Sequence, residues 1–550
     1  MRRLLLVVLA VCLLVPGFAG CFGSKDDGAA VAPDLPPATE LSAKLYSILP
    51  VEEVWVTTSA DLTSGEAGLR LHNGVYRPDT TEPVPVFINF SPYWDDSATA
   101  EGDAFSQYMI HEYVPRGYAV VLSAIRGTGH SEGCFEVASD RESLDVNEVV
   151  AHFASEPWSN GNIAAGGKSY DATTQNGMIA KFPNPALKGL FHVSGITDMY
   201  SYTFAKGTPA RVDSAAFTTE YGVTQGLSEY VGGAAGAGGP DDDSPESLAR
   251  LAGEGCAATP EGAANAGAST VAGAKTPYWV ERDWTRSIAT STWNGSIFFV
   301  HGLQDWNVQP SHIEPWIDQV NANGHIKVLG WLHQWADQDE FKCEPGNGHV
   351  YPMRSDWNET MLRWMDHVLK GKDTGMDQLY GFDVEDTQCR WRHDTTWPPT
   401  DAVTVQAGSG DILALGDGPV RVSGVVRLDV AATSTNPDPV ITAVLFDEGG
   451  TGRTWVGEAV LRGVFRESLE TPSPVTPGAS LEYHLETYPL DHVVEAGHRL
   501  VVEFGAMPDK SVALPTQLVG VTYGTGTVTV PIGDLELIEP QPEWMQCFTC

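Results

Sequence analysis

Basic charge is scarce in this chain: 33 lysines and arginines, only 12 of them lysine, stand against 71 aspartates and glutamates, giving a net charge of −38 over 550 residues. Such a surface repels phosphate backbones and anionic lipid headgroups, so nucleic acid is excluded as a partner. The acid is spread along the chain rather than gathered in a tail, as in a halophile's hydrated surface or in an acidic exported protein. Cysteine is equally sparse. Outside Cys12 and Cys21 there remain Cys134, Cys256, Cys343, Cys389, Cys547 and Cys550, an even set that favours disulfides in an oxidising compartment while leaving the pairing open. A single Cys-x-x-Cys pair, Cys547 with Cys550, has no second pair to complete a zinc set, so no metal and no cofactor are expected. Long apolar runs are missing apart from Leu4 to Val15, which is too short to span a bilayer.

That one run reads as an export signal, with Arg2 and Arg3 before it and Gly17-Phe18-Ala19-Gly20 after it. Small residues directly ahead of Cys21 resemble a lipoprotein signal, although Phe18 departs from the usual aliphatic residue. The reading divides the N-terminus into a signal at 1–20, lipidation at Cys21 and a flexible Asp, Pro and Ala-rich tether over 21–45. The protein is then exported and held at the cell surface by a lipid anchor alone, or simply secreted.

From residue 46 to 395 continuously apolar runs alternate with helical stretches: "PVFINF", "YAVVLSA", "NIAAGG", "LFHVSG", "SIFFVHG" and "IKVLGWL". Continuous rather than alternating apolar character marks strands buried on both faces of a parallel sheet, so an α/β domain is expected. The pattern breaks over about 200–280 into an Ala/Gly-rich stretch, either an inserted cap or a structureless insertion. From 396 to 540 the helical signal gives way to short strand-like runs separated by Pro/Gly turns, which fit an all-β sandwich, followed by a tail over 541–550. No internal repeat is present, and nothing sets the oligomeric state.

Within "NIAAGGKSYDATTQNG", Gly167-Lys168-Ser169-Tyr170-Asp171 places a serine between a strand-like and a helix-like run. A nucleophile held in such a tight turn has no room for a bulky residue two positions earlier, and Gly167 meets that need. A serine hydroxyl is a poor nucleophile without a histidine to take its proton and a carboxylate to orient that histidine. Downstream, "SIFFVHG" runs into Asp305 and "IKVLGWL" runs into His333, in the order Ser, Asp, His and each at a strand end. Asp305 has a competing role as a helix N-cap, and His349 in "GNGHVYP" rivals His333. The Tyr170 N–H supplies one oxyanion donor in any turn of this type. Tyr93, after "PVFINF", stands where a second would come from, or is a rim aromatic.

"GGKSYDATTQNG", "HGLQDWNVQP", "WVERDW", "RGTGHSEGCFE" and "EPWSNGNIA" together resemble the X-prolyl dipeptidyl peptidase family. Its wider relatives include cocaine esterase, cephalosporin acylases and α-amino-acid ester hydrolases. "RVSGVVRLDVAATS" and "VEAGHRLVVEF" are similar to the family's C-terminal jelly roll of galactose-binding type. The resemblance implies an α/β-hydrolase domain with an inserted cap, Ser169 as nucleophile, Asp305 as orienting acid, His333 as base, and the Tyr93 hydroxyl beside the Tyr170 N–H in the oxyanion hole. Ala172 stands where relatives carry glycine. The expected activity is that of a serine hydrolase working through an acyl-enzyme on a small peptide, releasing dipeptides with proline second. An esterase or acylase on the same triad is the alternative, and a lipid-anchored binding protein with an inert hydrolase domain is a third. A peptidase of this kind needs carboxylates for the substrate ammonium, and Asp198, Glu281 and Asp283 are candidates, each also readable as a salt-bridge partner.

Overall fold

The computed structural model describes residues 35–59, 68–94, 96–133, 135–209, 273–306, 308–334, 353–416, 418–450, 452–508 and 520–545, with 30–31, 343 and 510. The expected leader with Cys21, residues 210–272 of the expected cap, Cys134, Cys256, His349, Cys547 and Cys550 lie outside these residues.

Ten strands form one sheet: β1 (Glu52–Thr57), β2 (Arg70–Tyr76), β3 (Val84–Ser91), β4 (Ala119–Ala124), β5 (Ser159–Lys168), β6 (Leu187–Val193), β7 (Ser296–Gly302), β8 (Lys327–His333), β9 (Gly381–Glu385) and β10 (Trp391–Asp394). Their spatial order is β10-β9-β8-β7-β6-β5-β3-β4-β2-β1. From β4 across to β9 every neighbour is parallel, while β2 pairs antiparallel with β1 and β4, and β10 pairs antiparallel with β9. Every residue of β3 and β7 is buried, which is why these strands read as unbroken apolar runs. The six strands expected from the sequence are β3 to β8. The flanking strands β1, β2, β9 and β10 escape that reading because they are mixed in polarity, with His72 and Asn73 buried inside β2.

Helices cover both faces. On one side α1 (Ala104–Tyr113) and α8 (Trp357–Lys370) bury Phe105, Met109, Met361, Trp364 and Met365 against the sheet. On the other, α2 (Asp140–Ser155), α3 (Thr174–Lys181) and α7 (Ile313–Asn323) bury Val146, Val149, Met178, Ile179, Trp316 and Ile317. In α8 the spacing of Met361, Trp364, Met365 and the last-turn Leu369 makes one apolar stripe, and Gly371 at φ 64° ends the helix in a left-handed turn. The Trp364 indole donates to Ser296 Oγ at 2.9 Å, so its burial leaves no orphaned N–H, and truncating it to alanine would cost about 3–5 kcal/mol. Short helices α4 (Met199–Thr203), α5 (Pro277–Glu281) and α6 (Thr285–Ile288) stand on either side of residues 210–272 in the sequence.

The C-terminal region is all-β, built from a six-stranded and a four-stranded sheet. The run "VRVSGVVRLDV" is two strands rather than one, Val420–Gly424 and Arg427–Ser434, broken at Gly424 with φ 111°. The break serves docking: Glu314 on α7 accepts the Val425 N–H at 2.7 Å and the Arg427 guanidinium at 2.7 Å. Among the described residues no helix is long and apolar enough to cross a membrane.

Candidate active site

Lys168 closes β5 and Ser169 follows it with φ 59°, a left-handed conformation that a residue with a side chain adopts only under constraint. A single 3₁₀ turn, Ser169–Ala172, then leads into α3. The turn is tight because its neighbours leave no room. A Cβ on Gly166, at φ 145°, would lie 1.8 Å from the Phe191 carbonyl oxygen, and one on Gly167 would lie 2.6 Å from both Asn89 Nδ2 and Asp171 Cβ. Ala172 is fully buried, and the room for its methyl comes from Gly195, where a Cβ would meet Ala172 Cβ at 2.8 Å. The Thr173 hydroxyl donates to the Ser169 carbonyl at 2.9 Å and accepts the Ile196 N–H at 3.1 Å, tying the turn to the end of β6.

Asp305 lies three residues beyond β7 and His333 is the last residue of β8, both buried at the same carboxyl edge as Ser169. Gly302 and His333 are register partners, and the Leu303 N–H donates to the His333 carbonyl at 2.7 Å. Asp305 Oδ1 accepts the Val308 N–H at 2.8 Å, shaping the loop; the N-cap of α7 is His312, so Asp305 is not that cap. The segment after His333 is gripped from both sides, since Gln334 takes the Gln304 amide at 2.8 Å and donates to the Glu385 carbonyl at 2.6 Å. The Trp544 ring, from the far C-terminal segment, packs edge-on against His333 at 5.5 Å. Three other histidines are buried nearby, His192, His301 and His312; burial holds the first two neutral, down to about 3, and drives His312 well below its ordinary value. His301 meets the Val308 carbonyl at 2.9 Å and His325 is exposed on the surface before β8.

Tyr93 follows β3 by two residues, half-buried, with its N–H donating to Ser91 Oγ at 3.0 Å. Since β3 and β5 are adjacent and parallel, the Tyr93 loop and the Ser169 turn leave the sheet side by side. Asn89 bridges them underneath, donating to the Gly166 carbonyl at 3.1 Å. The Asp171 carboxyl lies below the turn, pushed well above the usual carboxylate range by burial and by Asp103.

The three candidate ammonium ligands do not converge as free carboxylates. Lys275 bridges Asp198 at 2.9 Å and Asp283 at 2.8 Å, and Asp198 also caps α4 through the Tyr200 N–H. Glu281 accepts the Asp140 N–H at 3.0 Å. Asp198, Lys275 and Asp283 instead line a cavity of about 740 Å³ together with Glu314 of α7 and with Arg427 and Tyr488 of the all-β region; Ser169, Tyr93, Asp305 and His333 are not part of that lining. Among the described residues no three His, Cys, Asp or Glu side chains gather as a metal site.

Sequence reasoning passed over Glu142, which is fully buried and accepts the Tyr170 hydroxyl at 2.8 Å. Its signal was there: Ser139-x-x-Glu142 has capping-box spacing, and the Glu142 N–H does donate to Ser139 Oγ at 3.1 Å. The glutamate itself turns to the Ala138 N–H instead, at 3.0 Å. Cys343 is bonded to Cys389, a pairing that sequence left open.

Sheet order, a strained serine turn and an acid and a histidine at later strand ends define an α/β-hydrolase. The family model for X-Pro dipeptidyl-peptidase (S15 family) matches residues 67–337, and that for the X-Pro dipeptidyl-peptidase C-terminal non-catalytic domain matches 417–507. A provisionally named Xaa-Pro dipeptidyl-peptidase of Streptomyces avermitilis is 27% identical over 82% of this chain and 78% of its own length. Cocaine esterase of a Rhodococcus species is 35% identical over 20% of this chain and 18% of its own. Among solved structures, a CocE/NonD family hydrolase from Staphylococcus aureus has a TM-score of 0.57 at 16% identity, covering 93% of this chain and 98% of that one. An α-amino acid ester hydrolase has a TM-score of 0.57 at 14% identity, covering 94% and 99%; likenesses this remote show the shared fold. The chain belongs to the X-Pro dipeptidyl-peptidase and cocaine esterase family of serine hydrolases. Nothing in these likenesses supports an inert, lipid-anchored binding protein.

Proposed function

We propose that Ser169, His333 and Asp305 form a catalytic triad that cleaves amide or ester bonds through an acyl-enzyme. The observation that carries this reading is Ser169 in a left-handed turn at the end of β5, on the sheet edge where Asp305 follows β7 and His333 ends β8. Ser169 Oγ attacks the substrate carbonyl carbon while its proton passes to His333, and Asp305 orients the ring and balances the imidazolium. The carbonyl oxygen, now an anion, is received by the Tyr170 N–H and the Tyr93 hydroxyl. Its collapse expels the amine or alcohol, which takes the proton from His333. Water then repeats the sequence on the acyl-serine and frees the acid.

The peptidase reading, release of dipeptides with proline second, is supported by the S15 family match and by the name of the Streptomyces relative. An esterase or acylase reading is favoured by a separate observation: Lys275 bridges Asp198 and Asp283, and Arg286 pairs with Asp283 at 2.8 Å, so both carboxylates are already engaged by cations of the chain itself. Purified protein should hydrolyse Ala-Pro and Gly-Pro anilides. Intact anilides together with rapid cleavage of short acyl esters would reverse the choice. Labelling by a fluorophosphonate, lost in Ser169→Ala, tests the nucleophile itself.

Anchoring at Cys21 belongs to the same proposal, supported by the apolar run Leu4 to Val15 and the small residues before the cysteine. The protein should partition into detergent when expressed with its leader, and Cys21→Ser should leave it in the aqueous phase. Equal partitioning of the two would sink the anchor.

A further inference from the structure

The loop between β4 and α2 reaches the back of the nucleophile turn in a conformation its residues resist. Val137 has φ 54° and Ala138 φ 61°, two consecutive left-handed residues without a glycine between them, and the first is β-branched. Such a pair persists only where its surroundings over-determine it. Here the restraints are visible. Arg282, just past α5, donates from Nε to the Val137 carbonyl at 2.8 Å and from Nη2 to the Glu136 carbonyl at 3.1 Å, with its guanidinium 3.8 Å over the Tyr278 ring. Glu142 Oε2 takes the Ala138 N–H at 3.0 Å.

The second oxygen of that carboxyl does something else. Glu142 Oε1 accepts the Tyr170 hydroxyl at 2.8 Å, and the Phe135 ring packs on Tyr170 at 5.4 Å. Tyr170 is only 2% exposed and Glu142 is fully buried, so neither group can exchange its partner for water. One carboxyl therefore joins the strained loop to the residue directly after Ser169. A tyrosine needed only for packing could have been phenylalanine. The hydroxyl fixes the ring in azimuth, and through χ1 and χ2 the ring fixes the peptide plane that presents the Tyr170 N–H.

We propose that Glu142 is a positioning residue for the oxyanion pocket, acting through the Tyr170 hydroxyl to aim the Tyr170 backbone N–H beside Ser169. The proposal rests on the reading of Ser169 as nucleophile. Burial pushes the Glu142 carboxyl up to about 8 against the pull of Tyr170 and the Ala138 N–H, with Glu136 adding to the push and Arg126 opposing it. Arg126 is itself engaged by Asp145 at 2.6 Å and Glu136 at 2.8 Å, and Arg282 and Tyr278 are the other titratable groups facing the site. The carboxyl is thus neutral when the enzyme works near neutrality; its ionisation in mildly alkaline solution strengthens the bond from the Tyr170 hydroxyl but places a negative charge behind the N–H that must receive the oxyanion.

The test is steady-state kinetics on an anilide and a nitrophenyl ester with Tyr170→Phe, Glu142→Gln and Glu142→Ala, each checked for folding by near-ultraviolet circular dichroism. Tyr170→Phe keeps the ring and the backbone N–H, and kcat should fall about ten- to a hundred-fold with KM nearly unchanged. Glu142→Ala should match it. Glu142→Gln should restore most of kcat and remove an alkaline limb near pH 8 that the unaltered enzyme shows. A folded Tyr170→Phe with full kcat and an unchanged pH profile overturns the proposal, even if Glu142→Ala cannot be purified. Equal losses in stability and activity in all three variants, with no change in the pH profile, overturn it as well. Ser169→Ala separates the two claims: if it still turns over, the nucleophile reading fails, and if it is inactive while the Tyr170 and Glu142 variants behave normally, only the positioning role fails.

Discussion

His333 ends β8 directly opposite Gly302 at the end of β7, with the Leu303 N–H bonded to the His333 carbonyl at 2.7 Å. His333 and the loop that carries Asp305 are thus set by one parallel register, and a slip there would misplace both. If these residues act as a triad, Ser169→Ala and His333→Ala should each lower kcat by roughly four to six orders of magnitude, and Asp305→Asn somewhat less. The double variant Ser169→Ala with His333→Ala should be no worse than either single one, because the residues act as a unit. Burst kinetics and titration of active sites with a fluorophosphonate measure this; retention of full activity by His333→Ala would redirect attention to His349.

The nucleophile turn makes a separate prediction about folding. Gly167→Ala would place a methyl 2.6 Å from Asn89 Nδ2 and Asp171 Cβ, and Gly166→Ala would drive one to 1.8 Å from a backbone carbonyl at an unfavourable φ. Overpacking of this kind costs about 1–3 kcal/mol where neighbours can yield, and backbone cannot. Gly166→Ala should therefore be the worse of the two in thermal denaturation, and Gly324→Ala, with nothing within 4 Å but a φ of 71°, the mildest.

Much of this could be read from sequence where local pattern and global burial agree. The parallel strands β3 to β8 announce themselves because burial on both faces leaves mostly apolar residues, and the strand-end positions of Ser169, Asp305 and His333 are legible because each lies at or just past the end of such a run. The flanking strands were not legible for two reasons: β1 is mostly exposed and mixed in polarity, while β2 and β9 are buried yet carry polar residues such as His72, Asn73 and Glu385 among their apolar ones. Glu142 was hidden for a different reason. A lone buried carboxylate is recognised only through its partners, Tyr170 and Ala138, which are distant in sequence or backbone groups. The break at Gly424 depended on Glu314, more than a hundred residues away.

Two buried carboxyls give the protein a stability profile that leans to mild acid. Burial pushes Glu142 up to about 8 and, outweighing Arg427, pushes Glu314 up to about 7, from an ordinary 4.5. Groups raised in this way contribute stability that is fully present below the unfolded value and is lost as pH rises through the folded one. In the opposite sense, Ser42 and Tyr118 outweigh burial to hold Asp366 low, and Arg354 and His393 do the same for Asp383; what these contribute is lost as pH falls below the usual carboxylate range. Below about pH 6.5 the buried neutral His192, His301 and His312 also oppose the two raised carboxyls, because the unfolded chain takes up protons that they refuse, so thermal midpoints should peak at about pH 6.5 and decline from there toward pH 8. Glu142→Gln should flatten the decline, and a midpoint that rises between these values would contradict the assignment.

The disulfide Cys343–Cys389 closes a loop of separation 46, joining the segment after His333 to the turn between β9 and β10. Asp386 in that turn is buried and paired with Arg390 at 2.9 Å and Arg392 at 2.7 Å, so the anchor point is rigid. A loop of this length contributes about 2–4 kcal/mol by restricting the unfolded chain. Cys343→Ser with Cys389→Ser should lower the thermal midpoint accordingly. Because the tether begins ten residues past His333, the same variant should, if His333 acts as the proposed base, also lower kcat more than it changes the rate of substrate binding, through looser placement of that ring. An oxidised and a reduced sample of the unaltered protein should show the same difference; identical kcat in both would mean that the Gln334 contacts to Gln304 and Glu385 alone hold the histidine in place.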